Sequence, residues 1–160
     1  KVMVRPRPGN YVYSEKELTC METEIDSLKK LPITGIVLGV LHDDRSINLE
    51  AVQRLSERAD PLPVTFHKAI DETRDPLQEM KKLSRIQNIQ SILSSGGAQN
   101  AETGAKMLKT MQQEFQSRFR MIAAGSITSE NLLSLHHQIE FPEYHGRKIV
   151  GDLARSSNPS

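Results

Sequence analysis

The chain has 160 residues, enough for one ordinary domain with a sizeable core. Its 21 Lys and Arg nearly balance 20 Asp and Glu, and there is no tryptophan, so charge and composition argue against a nucleic-acid binder or a membrane-surface protein. No apolar run is long enough to span a bilayer. The single cysteine, Cys20, excludes an internal disulfide and a Cys-based zinc cluster, which fits a reducing compartment.

The first apolar segment, 2–7, reads as a strand that runs out at Arg5-Pro6-Arg7. Arg5 and Arg7 lie two apart and so share a face of a strand, which would make a fork for phosphate or carboxylate. The alternative is a pair of structural salt bridges. In the following loop one of Tyr11 and Tyr13 is expected to pack on the rim and the other to line a pocket. Ser14 and Glu17 form a capping box, opening a helix with Leu18, Met21, Ile25 and Leu28 on one face. Cys20 is expected there as an inert, partly buried thiol.

A second strand over 35–41 leads through the solvated turn His42-Asp43-Asp44 to a helix capped by Asn48, with Leu49, Val52, Leu55 and Ala59 inward. The third strand, 62–67, places Thr65 and His67 on one face, with Asp71 in the next loop. A histidine near a carboxylate is the material of a general base or a metal ligand. Asp75-Pro76 then starts a helix with Pro at its first position.

The fourth strand, 89–94, ends in Ser94-Ser95-Gly96-Gly97, and the fifth, 120–124, in Gly125-Ser126. Backbone amides in such turns can cradle an oxyanion, although βα turns also use glycine simply for positive φ. Helices are expected to open at Asn100 and at Thr128 or Ser129. A sixth strand over 140–145 would point Glu143 and His145 the same way. With His67 they would give a nitrogen and oxygen set suited to copper(II), zinc or iron(II).

The strands are continuous apolar runs, as in a sheet covered on both faces, and their ionisable residues gather at their C-terminal ends. That pattern indicates an α/β fold of the TIM (β/α) barrel type, whose strand C-termini form the working face. Six strands with five helices do not close an eight-stranded barrel, so we expect a partial barrel over 1–150 and an irregular tail over 151–160. Two open sheet edges predict self-association, a homo-oligomer or marginal stability.

Val4-Arg5-Pro6-Arg7-Pro8-Gly9-Asn10-Tyr11-Val12-Tyr13-Ser14, Gly35-Ile36-Val37-Leu38-Gly39-Val40-Leu41, Pro63-Val64-Thr65-Phe66-His67-Lys68-Ala69-Ile70-Asp71 and Ile92-Leu93-Ser94-Ser95-Gly96-Gly97 resemble the successive motifs of the CutC copper-homeostasis family. Ala123-Ala124-Gly125-Ser126-Ile127 and Glu143-Tyr144-His145 continue the order. The resemblance implies a TIM barrel, a cytoplasmic protein, a role in control of cellular copper, and copper as the bound ion. It also implies that Arg5, Arg7, His67, Asp71, Ser95, Gly96 and His145 face the barrel mouth. The family's first two strand–helix units, with an early Glu and cysteines, have no counterpart here, and Cys20 is at no motif position. The stretch 147–153 looks like an insertion before Ala154-Arg155.

The functional expectation is therefore copper homeostasis, by binding or handling copper in the cytoplasm through His67, Glu143 and His145. A different class competes with it: an enzyme acting on a phosphorylated or carboxylated small molecule. Arg5, Arg7, Thr65, Ser95, Gly96, Gly97 and Gly125 would hold the anion, and His67 with Asp71 would serve as acid and base. A third reading is an inactive paralogue that associates with a complete barrel. Neither nucleic acid nor membrane is expected as a partner.

Overall fold

The computed structural model describes residues 1–146, 148 and 149. The tail 151–160, and all of the insertion-like stretch except Lys148 and Ile149, lie outside the described residues. Six strands form one parallel sheet in chain order: β1 (Val2–Met3), β2 (Ile36–Leu38), β3 (Val64–Phe66), β4 (Ile89–Ser94), β5 (Arg120–Ala124) and β6 (Glu143–His145). Five helices connect them: α1 (Glu15–Leu28), α2 (Leu49–Ala59), α3 (Pro76–Leu83), α4 (Ala105–Phe115) and α5 (Leu132–Ile139), with a 3₁₀ turn, Lys68–Glu72, after β3. The molecule is a (β/α) half-barrel.

Alternation along the strands sorts side chains to two destinations. Ile36 and Leu38 on β2, Val64 and Phe66 on β3, and Met121 and Ala123 on β5 are fully buried. They share one core with Leu18, Met21 and Ile25 of α1, Val52 and Leu55 of α2, and Leu108 and Met111 of α4. Each Val, Leu, Ile, Met or Phe among them contributes about 1.5–3 kcal/mol by leaving water. The intervening residues Met3, Val37, Thr65, Leu93 and Ile122 turn inward and line a cavity on the concave side. At the β1 edge, Met3 is half exposed.

The helix starts follow local chemistry. Ser14 and Glu17 complete the capping box, Asn48 accepts from Ala51 N–H, and Asp75 accepts from Gln78 N–H. Helices α4 and α5 begin later than expected. Asn100 spends its side chain on a tight turn, accepting from Thr103 N–H at 2.9 Å, and α4 starts only after Gly104. Asn131, not Thr128 or Ser129, precedes α5; its carboxamide accepts from Thr128 N–H and donates to Ser126 O. The first strand is also shorter than 2–7, because the chain curls so that Arg5 Nη2 donates to Gly9 O at 2.6 Å. Cys20 is exposed on α1, not partly buried as its neighbours suggest. No helix among the described residues is long and apolar enough to cross a membrane.

Candidate functional site: a cationic half-barrel mouth

A cavity of about 920 Å³ occupies the concave side of the sheet, within the size range of small-molecule sites. Arg5, Tyr11, His67, Lys68, Gly125 and His145 border it toward the strand C-termini, while Lys1 and Thr65 reach it from deeper in the barrel. Lys1 Nζ donates to Thr65 Oγ1 at 3.1 Å and lies 3.5 Å from Ser91 Oγ. Thr65 is thus already engaged below the mouth. Among the described residues, four cationic side chains, Lys1, Arg5, Lys68 and Lys148, line the cavity against one carboxylate, Glu143. That carboxylate is paired with Arg120 at 2.7 Å. A cleft lined by one sign of charge concentrates ligands of the other.

The two arginines part company. Arg5 faces the cavity, its guanidinium carbon 4.6 Å from the centre of the Tyr11 ring. Arg7 turns away and is spent on structure. Its Nε pairs with Glu17 at 2.5 Å, its Nη2 donates to Val12 O at 2.6 Å, and its guanidinium lies over the Tyr13 ring. The expected fork is therefore corrected. The strand ends at Met3, before either arginine, so alternation does not govern them, and the loop captures the second one. Tyr13 packs in the core and Tyr11 lines the cavity.

His67 is 3% exposed and caps the 3₁₀ turn, its Nδ1 accepting from Ala69 N–H at 3.2 Å. Burial, with the nearby Arg5 charge, pushes its pKa down to about 4, so the ring is neutral at ordinary pH. The bond from Ala69 puts the lone pair on Nδ1 and the proton on Nε2. In that state the imidazole donates from Nε2. It neither takes a proton there nor offers that nitrogen to a metal.

Asp71 is not the partner of His67. Its carboxylate accepts from Ser94 Oγ at 2.5 Å, from Ser95 N–H at 2.9 Å, from Ser95 Oγ at 2.9 Å and from Gly97 N–H at 2.9 Å. Gly96 N–H goes to Ser94 Oγ at 2.8 Å. The expected oxyanion cradle at Ser95, Gly96 and Gly97 is thus filled by the chain's own carboxylate, and none of the three borders the cavity. Lys68 joins this network through Ser95 Oγ and stands 3.3 Å from Asp71, while also reaching the cavity wall. The acid and base pair His67 and Asp71 is corrected on the same grounds. Each is held by a different partner.

Glu143 and His145 both border the cavity on β6. However, no group of three His, Cys, Asp or Glu among the described residues is arranged to hold a metal ion. Independently of that placement, His67 Nδ1 is engaged by Ala69 N–H and Glu143 is paired with Arg120. Gly125 lies at the rim with φ +110, and a side chain there would strike Ser95 Cβ at 2.9 Å. Gly39, which the sequence reading passed over, matters more, because an added Cβ would stand 2.6 Å from the His67 ring. A glycine at the end of a strand, where no turn requires it, was the available signal.

A parallel half-barrel whose strand C-termini carry a cation-rich pocket belongs to the TIM-barrel class. Residues 1–150 match the CutC family. The chain is 33% identical to a family protein CutC of Vibrio campbellii over 98% of its own length and 62% of that protein's. It is 32% identical to the human copper homeostasis protein cutC homolog, over 90% of this chain and 52% of that one. The crystal structure of a putative copper homeostasis protein CutC from Streptococcus agalactiae superimposes with a TM-score of 0.87 at 28% identity, covering 92% of this chain and 71% of that one. The chain belongs to the CutC family. It spans about three-fifths of the length of the Vibrio relative.

Proposed function

We propose that this chain serves copper homeostasis, the role printed in the names of its human and streptococcal relatives, that it does so in the cytoplasm, and that it acts by binding a small anionic molecule at its cationic mouth. The observation that carries this reading is the charge of the cavity wall: among the described residues Lys1, Arg5, Lys68 and Lys148 face it, and the one carboxylate there is paired with Arg120. A bare copper ion is repelled by such a wall, whereas a phosphorylated or carboxylated molecule is drawn in. Copper(I) also favours thiolate ligands, and Cys20 sits exposed on an outer helix.

The competing reading is direct copper(II) binding at Glu143 and His145, favoured by their shared place on the cavity side of β6. Isothermal titration with inorganic phosphate, and separately with copper(II) and copper(I), separates the two. Saturable phosphate binding that weakens about tenfold or more in Arg5→Ala is expected. Stoichiometric copper binding lost in His145→Ala, with no phosphate binding, would replace this reading by the metal site.

A further inference from the structure

Among the described residues, two buried side-chain nitrogens have no hydrogen-bond partner: Arg5 Nε and His67 Nε2. Unsatisfied buried donors are rare, and each calls for a physical explanation. Both belong to residues bordering the same cavity, and both residues touch the Tyr11 ring. The Arg5 guanidinium carbon is 4.6 Å from its centre, and the His67 ring centre is 4.7 Å from it. Tyr13 Oη, also outside strict hydrogen-bond geometry, lies close enough to Arg5 that the guanidinium's charge and a side-chain hydrogen bond from it oppose the rise that burial gives its pKa. The Arg5 donor thus has a neighbour in Tyr13, and the His67 Nε2 donor has none.

Both residues present hydrogen, not lone pairs. An arginine Nε carries hydrogen at all accessible pH values. His67 Nδ1 accepts from Ala69 N–H, so the hydrogen of the neutral ring is on Nε2. A free N–H donor beside a guanidinium cation selects a group that brings lone pairs and negative charge. A metal ion or an ammonium group would meet hydrogens.

Gly39 makes this arrangement possible. Its φ is not among the positive values, so the backbone does not require glycine there. The space does: a Cβ on Gly39 would stand 2.6 Å from both Cε1 and Nδ1 of His67 and 3.1 Å from Ala69 Cβ. Any side chain at 39 therefore evicts the imidazole from its seat.

We propose that His67 Nε2–H, with the Arg5 guanidinium beside it against the Tyr11 ring, grips one oxyanion group of the bound molecule, a carboxylate or a phosphoryl group, and that Gly39 is the positioning residue that leaves room for the imidazole. The proposal rests on the anion-binding reading above and gives it an address. His67 is then a fixed hydrogen-bond donor, not a general base.

The test combines long-range proton–nitrogen spectra of the histidine-labelled chain with titrations of inorganic phosphate and of malonate. The Nε2–H tautomer is expected at neutral pH, and an Nδ1–H tautomer overturns the clamp whatever binds. His67→Gln keeps an N–H close to the Nε2 position and is expected to hold the preferred probe within about threefold of the unaltered chain. His67→Leu and Gly39→Ala are expected to weaken it about ten- to a hundredfold. The double variant should be no weaker than either single one. If the unaltered chain binds a probe and His67→Leu binds it equally well, the clamp is wrong while the cationic-mouth reading stands. If neither probe binds the unaltered chain, both fall. The ratio of phosphate to malonate affinity tells which oxyanion the site takes. The tautomer and the His67→Leu arm do not depend on Gly39→Ala folding.

Discussion

Asp71 grips Ser95 by backbone and side chain at once, accepting the amide and the hydroxyl each at 2.9 Å. The same carboxylate takes Ser94 Oγ and Gly97 N–H. One buried side chain thus ties the turn after β3 to the turn after β4. Asp71→Ala leaves several buried donors unsatisfied and is expected to cost about 2–5 kcal/mol of stability, measured by urea unfolding. Phosphate affinity in variants that still fold should change less than threefold, because Asp71 does not border the cavity. A variant of full stability that cannot bind the anion would reverse these roles.

Arg5 and Arg7 are expected to give opposite phenotypes. Arg7→Ala removes the pairing with Glu17 and the bond to Val12 O, and should lower stability by about 1 kcal/mol after solvent screening is allowed for. Its anion affinity should hold. Arg5→Ala should lose affinity with a smaller change in the melting curve. Thermal unfolding with and without phosphate distinguishes them, and equal loss of ligand response in both would restore the two-arginine fork.

How far the sequence carried the reading depends on the residue. Strands β4 and β5 match their expected spans because unbroken apolar runs end sharply in Ser and Gly. The Ser14 and Glu17 box and the Asp75-Pro76 start are local signals, and local signals survive folding. The site was less legible. Spacing two apart told that Arg5 and Arg7 would share a face only if the strand lasted to residue 7, and a loop hydrogen bond ended it sooner. Asp71, in the loop a few residues after His67, looked like its partner, but the donors that claimed it arrive from the end of β4 and the turn after it, more than twenty residues on. Gly39 and His67 meet across neighbouring strands, a contact set by the register Leu38 to Phe66.

Acid should weaken the fold through His67. Its folded pKa of about 4 lies below the ordinary value of 6.5, owing to burial and then to the Arg5 charge. Above pH 6.5 both states are neutral and the group contributes nothing. As pH falls from 6.5 to about 4, the unfolded chain takes up a proton that the folded chain refuses. Stability should therefore drop across that window, by on the order of 3 kcal/mol. His67→Gln should flatten this part of the urea midpoint against pH. An unchanged slope would mean that other groups carry it.

The sheet edges predict association. Among the described residues β1 and β6 each pair on one side only, and Met3 is 51% exposed beside the open concave face. Unpaired edges invite pairing with another chain. Sedimentation and native mass measurements are expected to show species larger than 18.0 kDa that grow with concentration. A monodisperse monomer with a sharp, cooperative melt would count against it.

The central claim, that the half-barrel mouth takes an oxyanion and not a bare metal ion, is tested most directly by amide proton–nitrogen spectra. The chain is titrated with inorganic phosphate and, in parallel, with copper(I) under reducing conditions. Saturable phosphate-induced shifts are expected, centred on Arg5, His67, Lys68 and Gly125, with Arg7, Ser95 and Gly97 far less affected. The contradicting result is phosphate leaving those resonances in place while one equivalent of copper shifts Glu143 and His145.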